Sequence, residues 1–257
     1  MAEVIVFESP EAAASHVAAL LADQIENDPA TVLGLATGST PGRVYEGLAR
    51  LVRDRSIAVD AVSGFALDEY VGLEPGHPES YRAVIDREVV RPLGLDPDRI
   101  HLPPVADGGS PESCRVFEDR IARAGGVDVQ ILGIGTDGHI GFNEPGSSLG
   151  SRTRLKTLTA RTRRDNARFF ASEDEVPVHC VTQGIGTILE ARHLVLLAFG
   201  EAKAAAVAAA VEGPLSASVP GSAIQLHPRV TVVLDDAAAA ELRHREYYDF
   251  AWANRPR

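Results

Sequence analysis

Residues 132–149 read LGIGTDGHIGFNEPGSSL. The apolar run 127–132 leads into them, and a short apolar run bounded by glycines reads as a buried strand. A loop leaving the carboxyl end of a strand is where ligands bind in open α/β sheets. This loop packs Asp137, His139 and Glu144 into eight residues, among the glycines Gly133, Gly135, Gly138 and Gly141. A carboxylate beside an imidazole fixes its tautomer and suits it to proton transfer near neutral pH.

Outward from this loop, short apolar runs alternate with longer helical patterns. Strands are expected at 4–7, 31–36, 63–67, 99–102, 127–132, 194–199 and 230–234. Helices are expected at 9–26, from the turn 37–41 to about Arg53, and at 80–90, 110–124, 201–212 and 235–245. Strands alternating with helices imply an α/β fold: an open, mostly parallel sheet with helices on both faces, a Rossmann-like three-layer sandwich joined by right-handed crossovers. No linker or repeat divides the chain, so 1–257 is expected to form one domain. The stretch 147–177 is polar, Arg-rich and poor in strand signal, the expected place of a lid or interface segment.

Composition narrows the class. Net charge is -11 over 257 residues, which argues against non-specific nucleic-acid binding while leaving room for a locally held phosphate. Cys114 and Cys180 fit no metal or redox spacing. The opening MAEVIVFESP lacks the basic start and apolar core of a signal peptide, and no window approaches a membrane span. A soluble cytoplasmic protein without membrane partners is expected.

Other segments carry chemistry. LATGSTP, 35–41, follows a strand and opens a helix, where Gly38, Ser39 and Thr40 offer backbone N–H groups and hydroxyls to an anion. An ordinary helix cap is the plainer reading. FALDEYVGL, 65–73, puts Asp68 and Glu69 at a strand end, either as a solvated terminus or with one functional carboxylate. Arginines at 152–168 read as a solvated helix face or as a phosphate site. Lys203 stands at a helix start, where the dipole disfavours a cation unless an anion answers it. The spacing of Asp137, His139 and Glu144 matches no familiar zinc pattern, so no metal is expected.

Together these segments resemble the glucosamine-6-phosphate deaminase family. The likeness runs nearly end to end, through LATGSTP, LDEYVGL with HPESY, GIGTDGHIGFNEPGSSLGSRTRLKTLT, DNARFF, VTQGIGTILEARHLVLLAFGEAKA and VEGPLSASVPGSAIQLHP. It implies conversion of D-glucosamine 6-phosphate and water to D-fructose 6-phosphate and ammonium, in amino-sugar catabolism and without a cofactor. By resemblance His139, with Asp137 and Glu144, opens the sugar ring, and Asp68 moves the C2 proton to C1. Gly38, Ser39, Thr40, Arg168 and Lys203 hold the phosphate. The family often has a second glycine where this chain has Ser39. Some members are homo-oligomers, hexamers among them, activated by N-acetylglucosamine 6-phosphate at subunit interfaces. The matching motif here is Ser147, Arg154, Lys156 and Thr157. The tail YYDFAWANRPR departs from those members, since Tyr247 and Tyr248 do not fall clearly in register with their effector-site tyrosine.

Two alternatives stand beside this reading. A 6-phosphogluconolactonase shares the fold and a similar DGH loop, but usually continues with a Thr-Ala-Ser-Leu-Phe-Pro-like stretch where this chain has Ile140-Gly141-Phe142-Asn143-Glu144-Pro145. A non-catalytic sugar-phosphate sensor would usually lack a catalytic residue or carry a DNA-binding module. All four candidate residues are present here, and Val4 opens the first strand.

Overall fold

Val32–Leu35, His193–Ala198 and Val230–Asp235 are buried along their whole length. Strands with no wet face belong to a parallel sheet covered on two sides. The computed structural model describes residues 3–255; Met1, Ala2, Pro256 and Arg257, which the single-domain expectation also spans, lie outside it. In chain order the elements are β1 (Glu3–Phe7), α1 (Pro10–Asn27), β2 (Val32–Leu35), α2 (Ser39–Arg55), β3 (Ser63–Ala66), β4 (Asp68–Val71), α3 (Tyr81–Ile85), α4 (Arg91–Leu93), β5 (Ile100–His101), α5 (Pro111–Arg123), β6 (Val129–Gly133), β7 (Arg154–Thr157), α6 (Ala160–Asn166), β8 (His179–Thr182), α7 (Ile185–Leu189), β9 (His193–Ala198), α8 (Ala204–Val211), β10 (Val230–Asp235) and α9 (Arg245–Ala253). Short 3₁₀ and π turns fill some gaps between them.

Seven strands pair in the order β1-β10-β9-β6-β2-β3-β5, every pairing parallel. All seven strands expected from the sequence lie in this sheet, with ends shifted by a residue or two. Ser9, Ser80, Ser110 and Thr159 cap α1, α3, α5 and α6 by accepting a backbone N–H, as their residue types favour. Helices α1 and α2 pack so closely that a Cβ on Gly47 would lie 2.9 Å from that of Ala18.

Strand order reverses between β2 and β6. From β2 the chain builds outward through β3 and β5; from β6 it builds the other way through β9 and β10. That switch point opens a crevice at the carboxyl edge.

Three strands went unread in the sequence. β4, β8 and β7 form a separate antiparallel sheet. Phe65–Leu67 does not simply end at Asp68: the Leu67 N–H bonds to the Leu35 carbonyl of the large sheet at 3.0 Å, and the Leu67 carbonyl accepts from Gln183 N at 2.7 Å. One residue thus ties both sheets, and Asp68 opens the second. The stretch 147–177 is likewise structured, holding β7 and α6; β7 was hidden because it is a polar edge strand.

The expected helix 235–245 is absent. Asp235 ends β10, and its carboxylate accepts from Gly200 N at 3.0 Å and Ala238 N at 2.8 Å, which holds the following alanines in turns despite their helix propensity. The last helix begins at Arg245, after the Glu212 carboxylate has taken the N–H groups of Arg243 and His244.

Candidate active site

The crevice is a cleft of about 1110 Å³, lined by Gly38, Ser39, Thr40, Asp68, His139, Arg168 and Lys203 among others. Four neighbouring strands supply it. β2 runs into the Gly38 turn, β3 passes to Asp68, β6 runs into the His139 loop and β9 into the turn before Lys203.

The imidazole sits on a glycine. A Cβ on Gly135 would lie 2.3–2.6 Å from three atoms of the His139 ring. Gly138, at φ 86°, turns the loop, and its carbonyl accepts from Gly221 N at 2.7 Å. Asp137 Oδ1 lies 2.7 Å from His139 Nδ1, and Glu144 Oε2 lies 3.7 Å from it. Asp137 stands off the line a ring hydrogen bond needs and Glu144 is too far for one, while the His139 backbone N–H donates to Asp137 Oδ1 at 3.1 Å and fixes the two residues against each other. Glu144 is aimed from behind: its Oε1 accepts from Thr159 N at 3.1 Å and Thr159 Oγ1 at 3.3 Å. Burial alone would raise the Asp137 carboxyl, but His139 and the Glu144 side chain outweigh it and hold Asp137 well below the usual carboxylate range.

Asp68 has the opposite environment. It is buried against the Gly141–Phe142 backbone, its Oδ2 3.5 Å from where a Gly141 Cβ would sit. Burial, with the Glu69 charge adding to it, pushes its carboxyl up to about 8. Glu69, the other half of the acidic pair, does not face the cleft chemistry. It accepts from the backbone N–H groups of Tyr70, Tyr81 and Arg82 at 2.8–2.9 Å and so anchors the start of α3. The pair divides into one acid on the cleft and one that anchors the backbone.

The anion end is built on α2. Gly38, at φ 107°, precedes the helix with no side chain to cap it, leaving the first-turn N–H groups for a ligand. The buried Tyr45 hydroxyl clamps the base of this turn, accepting from Ala36 N at 3.1 Å and donating to Ala36 O at 2.9 Å. Burial lowers the Lys203 ammonium; Asp165 opposes that shift and Arg168 adds to it. Two cations gathered here make a field for an anion.

Of the arginine-rich stretch, only Arg168 lines the cleft. Arg152 pairs with Glu118 and Glu190, and Arg163 donates to the Val176 and Glu173 carbonyls, so these two are structural. The residues matched to the effector motif lie off the cleft. Ser147 is buried with its Oγ unpartnered. Arg154 donates to Asn143 Oδ1 at 2.7 Å, beside Glu144. Strand alternation puts Arg154 and Lys156 on one face of β7 and the Thr157 side chain on the other.

Several cleft residues escaped the sequence reading. Tyr70 and Tyr81 share a hydroxyl contact of 3.3 Å, and Asn166 of α6 donates to the Tyr70 hydroxyl at 2.9 Å. Asp165 reaches Thr136 Oγ1 at 3.2 Å across the cleft. HPESY and DNARFF marked these places without assigning them a task.

Residues 8–233 match the family model described as glucosamine-6-phosphate isomerases/6-phosphogluconolactonase. A glucosamine-6-phosphate deaminase of Bifidobacterium longum subsp. infantis is 54% identical, over 100% of this chain and 98% of its own. One from Streptomyces avermitilis is 53% identical, over 99% and 98%. Among solved structures, a monomeric glucosamine-6-phosphate deaminase superposes with a TM-score of 0.90 at 39% identity, over 93% of this chain and 99% of that one. A 6-phosphogluconolactonase from Trypanosoma cruzi, TM-score 0.71 at 20% identity over 95% and 97%, shares the fold. The chain therefore belongs to the glucosamine-6-phosphate isomerase/6-phosphogluconolactonase family, among its glucosamine-6-phosphate deaminases.

Proposed function

We propose that this protein converts D-glucosamine 6-phosphate and water to D-fructose 6-phosphate and ammonium. The observation that carries the proposal is the pairing, in one cleft, of an imidazole backed by two carboxylates with a separate buried carboxyl pushed up to about 8. Groups set apart in this way divide acid and base roles. The phosphate rests on the N–H groups after Gly38 and on the Ser39 and Thr40 hydroxyls, with Arg168 and Lys203 supplying charge. With its Nδ1 turned to Asp137 and Glu144, His139 uses Nε2 to carry the anomeric hydroxyl proton to the ring oxygen, which opens the ring. Asp68 as carboxylate takes the C2 proton, giving an enolamine across C1 and C2. It returns that proton at C1, and water then adds to the C2 iminium and displaces ammonia. The likeness to deaminases at 54%, 53% and 39% identity, against 20% for the lactonase, and the continuation Ile140-Gly141-Phe142-Asn143-Glu144-Pro145 favour the deaminase over the lactonase.

Ammonium and fructose 6-phosphate are expected from the wild type, with losses of about 10²–10⁴-fold in Asp68→Asn and His139→Gln. A folded wild type that releases no ammonium would end the proposal. The single domain, the cytoplasmic setting and a homo-oligomer belong to the same reading; no described helix is long and apolar enough to cross a membrane. The unpartnered Ser147 Oγ, and the shared face of Arg154 and Lys156 on β7, support N-acetylglucosamine 6-phosphate as an activator, with Thr157 contributing through its backbone. Activation requires a sigmoidal rate curve that this compound makes hyperbolic, and a hyperbolic curve it leaves unchanged removes it.

A further inference from the structure

The three donors around His139 also suit a metal ion. Asp137, His139 and Glu144 each offer one ligand atom, all within 4.8 Å of one another. In this cluster His139 Nδ1 and Glu144 Oε2 are buried without a hydrogen-bond partner, and Glu144 as a residue is only 3% exposed. Buried polar atoms left in this way carry a desolvation cost that a ligand can relieve.

We propose that the Asp137–His139–Glu144 cluster is an inhibitory site for a divalent transition-metal cation of the zinc class. Zinc binds His nitrogen and carboxylate oxygen at about 2.0–2.2 Å, which spaces tetrahedral ligands about 3.4 Å apart. The Asp137–His139 and His139–Glu144 separations of 2.7 and 3.7 Å bracket that spacing. One nitrogen and two carboxylate oxygens form a three-donor set that leaves a further position for water or a substrate oxygen. Thr159, holding Glu144 Oε1, provides the outer support such ligands need. On binding, the cation takes the Nδ1 lone pair and the Nδ1 proton passes to solvent. The imidazole then no longer has its two carboxylates free to balance a proton gained at Nε2, and ring opening stops.

Binding stands on the donor set alone, whereas inhibition rests on the deaminase reading, so the two are read separately. Titration of the metal-free protein with Co²⁺, followed by its visible absorption, is expected to show one site per chain. His139→Gln and Glu144→Gln should weaken it by more than about 10-fold. Cys114→Ser, which removes a buried thiol outside the cluster, should leave it unchanged. Zn²⁺ should abolish ammonium release, and EDTA should restore it. Equal titration of wild type and both cluster variants overturns the proposal, as does a wild type that takes up no Co²⁺. Thermal melts of each variant establish folding, with Asp137→Asn as the replacement where one fails. Cobalt uptake by a protein that releases no ammonium leaves the metal site standing and removes the deaminase reading.

Discussion

The two sheets contribute to the cleft in different ways. The seven-stranded sheet is embedded in the main apolar core, and its β2, β6 and β9 lead to the anion turn, the His139 loop and Lys203. The three-stranded sheet rests on a core of five buried residues, Tyr70, Phe142, Leu158, Val176 and Cys180, yet it begins with Asp68, the proposed base. The chain between β7 and β8 adds Arg168. On the proposed mechanism, anchoring and ring opening would lie on the deeply packed part, while C2 deprotonation and one phosphate cation would lie on the thinly packed part.

Substitutions can break this division. The largest effect is expected at Gly135→Ala, in the rigid part. Its methyl would enter the His139 ring space, and a displacement near 1 Å costs about 100-fold in rate. Steady-state kinetics alongside thermal melting checks it, with about 1–3 kcal/mol of stability lost. Next comes Glu69→Ala in the small sheet. Three N–H groups, one buried and two part-buried, lose their acceptor, so about 2–4 kcal/mol of stability should go, read by denaturant unfolding, and kcat should fall because Asp68 is the adjacent residue. Tyr45→Phe should cost about 1–3 kcal/mol and raise KM more than it lowers kcat, since it loosens only the anion turn.

A pH series sharpens the contrast. The Asp68 carboxyl sits at about 8 when folded and 3.8 otherwise, so between those values the folded protein holds a proton the unfolded chain has released. Stability therefore falls as pH rises through that window and levels off above about 8. Asp68→Asn removes the dependence, and its advantage over wild type should grow from pH 4 to pH 8 in unfolding experiments. The smallest effect is in hydrogen exchange, where β4, β7 and β8 should exchange faster than β6, β9 and β10.

The same contrast explains what could be read from sequence. The parallel strands announce themselves as continuous apolar runs, and the His139 loop follows one of them, so both were legible. β7 reads RLKT with half its side chains exposed and takes its structure from pairing with β8, which no local pattern reports. The division of labour between Asp68 and Glu69 was equally hidden, because it depends on where α3 begins twelve residues later. Helix α9 starts just after Glu212, far back in the chain, takes the N–H groups of Arg243 and His244, so alanine-rich sequence at 237–240 misled.

Leu67 works like the pin of a door. It is bonded to both sheets, and Asp68 is the next residue. A swing of about 10° around that pin carries the Asp68 Cα, one peptide or 3.8 Å away, through only about 0.7 Å. The outer strand β7, two strand spacings or about 9.6 Å off, sweeps about 1.7 Å. In such a swing the outer strand would shift more than twice as far as the proposed base, which stands beside the pin.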